Sequence, residues 1–165
     1  MNLRISKGTV VLTAGIAMFI GGASAPSAGA APAMAGPYTW VNGNSGKCLE
    51  IRGDSTANGA GANQWDCNGS ATQQWYSSNL SGWGTFVNAN SGKCLEIRGD
   101  STANGAGANQ WDCNGSATQQ WYWTSSYTLV NANSGKCLEI RGDSTANGAG
   151  ANQWDCNGSA TQHWY

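Results

Sequence analysis

Three glutamates, Glu50, Glu96 and Glu139, each stand two residues after a cysteine and fifteen before a tryptophan, Trp65, Trp111 and Trp154. A carboxylate held beside an indole is a chemically useful pair. The carboxylate accepts hydrogen bonds from two neighbouring hydroxyls, and bonds to an ionised group are the stronger kind. The indole offers a flat apolar face to C–H groups. Side-chain amides both donate and accept. Asn63, Asn68 and Gln73 lie close by in sequence, with copies at Asn109, Asn114 and Gln119 and at Asn152, Asn157 and Gln162. Such a set suits a hydroxyl-rich ring such as a sugar. The competing reading is that Trp65 simply packs and Glu50 pairs with Arg52 or Lys47.

The elements that position these residues come from one unit written three times. Segments 41–76, 87–122 and 130–165 are each 36 residues long and differ at only two aligned positions, Gly43/Ala89/Ala132 and Gln74/Gln120/His163. One unit carries too little apolar surface to fold alone, so three must share a core. Each unit reads as four short strands, in the first unit 38–42, 47–51, 62–67 and 73–76. Asn-Gly turns separate them at 42–43, 58–59 and 68–69. No stretch shows helical periodicity. The expectation is an all-β chain of twelve strands. Three equal units favour a β-trefoil over a sandwich.

Cysteines set the register. Cys48 and Cys67, Cys94 and Cys113, and Cys137 and Cys156 are each nineteen apart. Six cysteines allow fifteen pairings, and identical units favour one bridge within each repeat. Zinc is a poor alternative, because there is no CxxC pair and His163 is the lone histidine. If Cys48 faces Cys67 across an antiparallel pair, Glu50 falls opposite Trp65 and Arg52 opposite Asn63. Alternation then sends Leu49 and Ile51 to the core and Glu50 to the other face. A register shifted by two leaves Glu50 and Trp65 diagonal, still within reach.

Composition narrows the partners. Eight Lys+Arg stand against nine Asp+Glu, a net charge of -1, and no basic stripe suits nucleic acid. Arg4 and Lys7 precede an apolar run and then small residues, the plan of a secretory signal over 1–30. Cleavage after Ala30 is preferred, with Ala35 the alternative. Residues 31–37 read as a linker, and 38–165 as one domain with repeats 38–83, 84–126 and 127–165. The apolar run is too short for a good membrane span. A secreted, extracellular, monomeric product is expected, and disulfides persist there. Losing the signal removes two basic charges and leaves the mature chain near -3.

The pattern SGKCLEI…STANG…NQWDCNGSATQQW resembles the ricin B-type lectin repeat, also called the QxW repeat or family 13 carbohydrate-binding module. Its hallmark tripeptides are Gln73-Gln74-Trp75, Gln119-Gln120-Trp121 and Gln162-His163-Trp164, and the match covers essentially all of 38–165. The resemblance implies a β-trefoil with up to three sites for galactose- or xylose-type sugars. It puts the family's sugar-chelating acid at Glu50, Glu96 and Glu139, and its stacking aromatic at Trp65, Trp111 and Trp154. A polar position after the second cysteine becomes Asn68, Asn114 and Asn157. The glutamine that steadies the acid becomes Gln73, Gln119 and Gln162. Trp75, Trp121 and Trp164 would be core. Three departures stand out: Glu for the usual Asp, Thr72, Thr118 and Thr161 for a sugar-contacting Asn, and Asn63, Asn109 and Asn152 where Gln is common.

Other signals carry less. Arg52-Gly53-Asp54 and its copies at 98–100 and 141–143 sit at a strand exit, where a turn explains them better than integrin binding. Asn68-Gly69-Ser70 and Asn79-Leu80-Ser81 fit the glycosylation sequon. The Asp54 loop lacks the glutamate of a calcium hand, with Trp65 at that position. No paired catalytic carboxylates or Ser/His/Asp set is evident, so a non-catalytic lectin without cofactor or metal is expected. The alternative is a protein-binding or sugar-binding-dead trefoil, such as a protease inhibitor or adhesion module.

Overall fold

The computed structural model describes residues 33–165. The signal assignment at 1–30 therefore lies outside the described residues. The architecture is all-β, with single 3-10 turns between short strands.

In the first repeat, Cys48–Ile51 (β2) pairs antiparallel with Ala62–Trp65 (β3). The same hairpin recurs as Cys94–Ile97 (β6) with Ala108–Trp111 (β7), and as Cys137–Ile140 (β10) with Ala151–Trp154 (β11). Trp75–Ser77 (β4) pairs with Phe86–Asn88 (β5), and Trp121–Trp123 (β8) with Leu129–Asn131 (β9). These two hairpins carry the chain from one repeat to the next. The corresponding junction between the last repeat and the first is made by the chain ends. Asn42 bridges Trp164, and Val41 and Tyr165 exchange backbone hydrogen bonds of 2.9 Å. Among the described residues eleven strands form rather than twelve, because this closing junction consists of isolated bridges. Residues Ala35–Tyr38, read mostly as linker from the sequence, form strand β1 against β4.

The fourth strand begins two residues later than expected. Gln73 belongs to a 3-10 turn, Ala71–Gln73, closed by its N–H on the Ser70 carbonyl at 3.0 Å. That turn aims the glutamine side chain inward, where it is fully buried.

The core forms around the threefold axis. Leu49, Ile51, Leu95, Ile97, Leu138 and Ile140 are buried, as strand alternation requires. They pack with Trp75, Trp121 and Trp164, each wholly buried. Each of these indoles donates to a leucine carbonyl of its own repeat, Trp75 Nε1 to Leu49 at 3.1 Å. A buried indole N–H needs such a partner. Trp40, Phe86 and Leu129 fill equivalent positions with different side chains, so the symmetry is broken there without opening the core.

All three disulfides close within repeats, Cys48–Cys67, Cys94–Cys113 and Cys137–Cys156. Each spans 19 residues and contributes about 3 kcal/mol on a loop-entropy estimate.

Candidate functional site

The disulfide does not sit on directly opposed positions. Cys48 faces Trp65, and Glu50 faces Asn63. The expected pairing of Glu50 with Trp65 and of Arg52 with Asn63 is therefore corrected by two residues. The reason lies in the neighbouring repeat. The Asp66 N–H donates to Asn147 Oδ1 at 3.0 Å instead of continuing the β2–β3 ladder. The strand ends at Trp65, and Cys67 reaches Cys48 from the loop beyond. Glu50 and Trp65 are diagonal, on one face.

Each repeat carries one pocket. The first is lined by Glu50, Asn63, Trp65 and Asn68, and has a volume of about 490 Å³. The second holds Glu96, Asn109, Trp111 and Asn114 in about 710 Å³. Glu139, Asn152, Trp154 and Asn157 line the third, of about 450 Å³. Such volumes are in the range of small-molecule sites.

Within the first pocket the roles differ sharply. Trp65 is 42% exposed, against none for Trp75, so one indole is offered to solvent and the other is spent on the core. Glu50 is 8% exposed, and both of its oxygens are held. Asn63 Nδ2 donates to Oε1 at 3.1 Å, and Gln73 Nε2 to Oε2 at 3.2 Å. Gln73 also donates to the Asp66 carbonyl at 2.9 Å and accepts the Asn68 N–H at 2.9 Å. It stands behind the acid, tying three parts of the site together without facing the pocket. Gln119 and Gln162 repeat this arrangement. The Thr72 hydroxyl is shared with Ser70 at 2.7 Å.

Asn63 is 1% exposed, and its Oδ1 has no hydrogen-bond partner among the described residues. The same holds for Asn109 and Asn152. A buried acceptor without a donor is costly, and here it belongs to a pocket-lining side chain. The acid and the indole of each site are both carried on the paired strands.

Sequence reasoning missed that each pocket is finished by another repeat. Arg52 Nη2 donates to the Gly148 carbonyl at 2.8 Å. Arg98 does so to Gly59 at 2.8 Å, and Arg141 to Gly105 at 2.9 Å. The third repeat thus completes the first pocket, the first completes the second, and the second completes the third. Gly148 has φ +82°, and a Cβ there would stand 3.6 Å from Trp65 Cζ3. Glycine suits the left-handed turn there, and a Cβ would meet the indole edge only at ordinary contact distance. Gln64, fully buried, reinforces the junction by donating to the Ser144 and Ala146 carbonyls at 2.8 and 3.0 Å. The Asn-Gly signal at 58–59 marked the turn, but nothing in identical repeats says which pocket that turn would serve.

Asp66 locks the same junction. It pairs with Lys47 and accepts Asn147 Nδ2 at 2.8 Å. The Lys47 ammonium, and after it the Asn147 amide, hold the Asp66 carboxyl below the ordinary carboxylate range. Asp112 and Asp155 are held down in the same way by Lys93 and Lys136. A carboxyl lowered in the folded state stabilises above its unfolded pKa and ceases to do so as pH falls through the folded value. Urea-unfolding midpoints are therefore expected to drop below about pH 4. Replacing Lys47, Lys93 and Lys136 by Met should flatten that drop, which equilibrium titrations at several pH values would measure.

The comparisons agree with this geometry. The profile of the ricin-type β-trefoil lectin domain matches residues 37–164. No curated protein sequence matches the chain. Among solved structures, the designed threefold-symmetric protein ThreeFoil is 35% identical with a TM-score of 0.74, over 77% of this chain and 94% of its own. The exo-β-1,3-galactanase 1,3Gal43A from Clostridium thermocellum is 34% identical with a TM-score of 0.73, over 78% of this chain but only 29% of the enzyme. The haemolytic lectin CEL-III is 25% identical with a TM-score of 0.64, over 78% of this chain and 30% of its own. The ricin-type fold is generally a non-catalytic carbohydrate-binding domain, sometimes carried by an enzyme. With the repeat, the disulfides and the fold in agreement, the chain belongs to the ricin-type β-trefoil lectin family.

Proposed function

We propose that this chain is a secreted, non-catalytic lectin with three equivalent sugar sites, one per repeat, for galactose- or xylose-type sugars. The observation that carries this reading is the contrast between two tryptophans of each repeat. Trp75 is wholly buried, whereas Trp65 stands 42% exposed in a pocket floored by a hydrogen-bonded carboxylate. An indole left open beside Glu50 makes sense as a stacking surface for a sugar ring. Glu50, fixed by Asn63 and Gln73, accepts from two ring hydroxyls, and Asn68 offers an amide at the rim. Placement on strands keeps the acid and the indole in fixed relation. Secretion is supported by the disulfide in each repeat and by the signal-like segment 1–30.

Each site on its own is expected to be weak, near the millimolar range, about -4 kcal/mol. Three sites on one rigid body raise avidity for a polysaccharide or a glycan-coated surface. The test is a titration with a panel of neutral sugars read at the pocket tryptophans. A response to galactose or xylose supports the reading. Silence across the panel favours a protein-binding trefoil instead.

A further inference from the structure

The Arg-Gly-Asp tripeptide, read from sequence as a mere turn, lines all three pockets. Arg52, Gly53 and Asp54 belong to the first, residues 98–100 to the second and 141–143 to the third. Its placement matters because of where the charge of this chain goes. Arg4 and Lys7 lie outside the described residues. The remaining six basic and nine acidic side chains carry a net charge of -3. Three of the basic and three of the acidic ones neutralise each other in the pairs Lys47–Asp66, Lys93–Asp112 and Lys136–Asp155. Every other charged side chain of residues 33–165 lines a pocket, as one Glu, one Asp and one Arg in each. Each pocket therefore holds a net charge of -1, and together they hold the whole side-chain imbalance.

Within each pocket the two carboxylates are not equivalent. Glu50 is buried and already bonded to two amides. Asp54 is exposed and belongs to none of the ion pairs. Its φ is +52°, with +51° at Asp100 and +53° at Asp143, each after a glycine that also has positive φ. Aspartate and asparagine adopt this conformation more readily than other non-glycine residues. Arg52, the one cation of the pocket, spends Nη2 on the Gly148 carbonyl. A negative pocket that holds an exposed carboxylate outside every ion pair favours a cationic ligand.

We propose that these pockets select protonated amino sugars over neutral and acidic ones, with Asp54, Asp100 and Asp143 as the specificity-determining residues. This rests on the sugar-binding reading above and adds a charge preference to it. The ammonium of a hexosamine would face the aspartate while its ring lies on Trp65. A uronic acid would meet two carboxylates against one guanidinium, which is already bonded to the Gly148 carbonyl.

The experiment compares galactose, galactosamine and galacturonate, with their glucose counterparts in parallel, at about pH 6, where an aliphatic amine is protonated. Calorimetry on the full chain gives the ratio of affinities. The amino sugar is expected to bind about fivefold more tightly than the neutral one, the upper end for an exposed ion pair, and the uronate more weakly than the neutral sugar. In the triple variant Asp54→Asn, Asp100→Asn, Asp143→Asn that ratio should fall to about one. Asparagine tolerates positive φ as aspartate does, so the loop keeps its shape. Equal binding of amino and neutral sugars by the native chain, or an unchanged ratio in the variant, would overturn the charge preference and leave the lectin reading standing. Binding of none of the sugars would overturn both.

Discussion

Replacing Glu50, Glu96 and Glu139 together by Ala is expected to abolish retention on a polysaccharide column and to leave a folded protein. The binding loss is complete because each pocket loses the acceptor that grips two hydroxyls, and a millimolar site has little free energy to spare. The structural cost is small for a specific reason. Glu50 binds the amides of Asn63 and Gln73, but each amide has a second acceptor, the Gln64 carbonyl at 3.3 Å and the Asp66 carbonyl at 2.9 Å. Neither is stranded when the carboxylate goes. Because both amides keep an acceptor and a carboxylate no longer has to be desolvated, a loss of only about 0.5 kcal/mol per site is expected. Retention equal to the native chain would remove Glu50 and its copies from the site.

The second large effect is on folding. Trp75→Ala should destabilise by about 3–5 kcal/mol, the range for emptying a large buried aromatic. Trp75 is fully buried and donates to the Leu49 carbonyl, so the variant opens a cavity and also leaves that acceptor unpaired. Trp121→Ala and Trp164→Ala should cost similar amounts, since all three pack around one axis. Trp65→Ala, at an exposed position, should change stability far less and binding far more. Chemical denaturation of the four variants measures this. Equal destabilisation by Trp65→Ala would mean that the open indole is structural after all.

Much of this was legible in the sequence, for physical reasons that particular residues show. The Leu49/Ile51 alternation placed the core face, and one cysteine pair per unit placed the bridges. The Glu50–Trp65 neighbourhood survived a register error of two, because β side chains keep their face when a strand slips by an even number. Three things were not legible. The end of β3 at Trp65 is decided by Asn147, which lies 81 positions away. Identical repeats cannot reveal that Gly148 rather than Gly59 borders the first pocket. The Arg52-Gly53-Asp54 turn looked local, and its role appears only when Arg52 is seen reaching Gly148 and Asp54 is seen at the pocket. All three depend on junctions between repeats, where local pattern is silent.

The pockets are thus shared property. Gly148 lies beside the Trp65 indole, and Gly59 beside that of Trp111.

In the proposed lectin, three open indoles receive sugar while three buried ones hold the fold. Indole N–H resonances of the labelled protein, followed by NMR during titration with galactose or xylose, test it most directly. Progressive shifts are expected at Trp65, Trp111 and Trp154, with Trp75, Trp121 and Trp164 unmoved. Shifts confined to other tryptophans, or none at any sugar concentration, would contradict it.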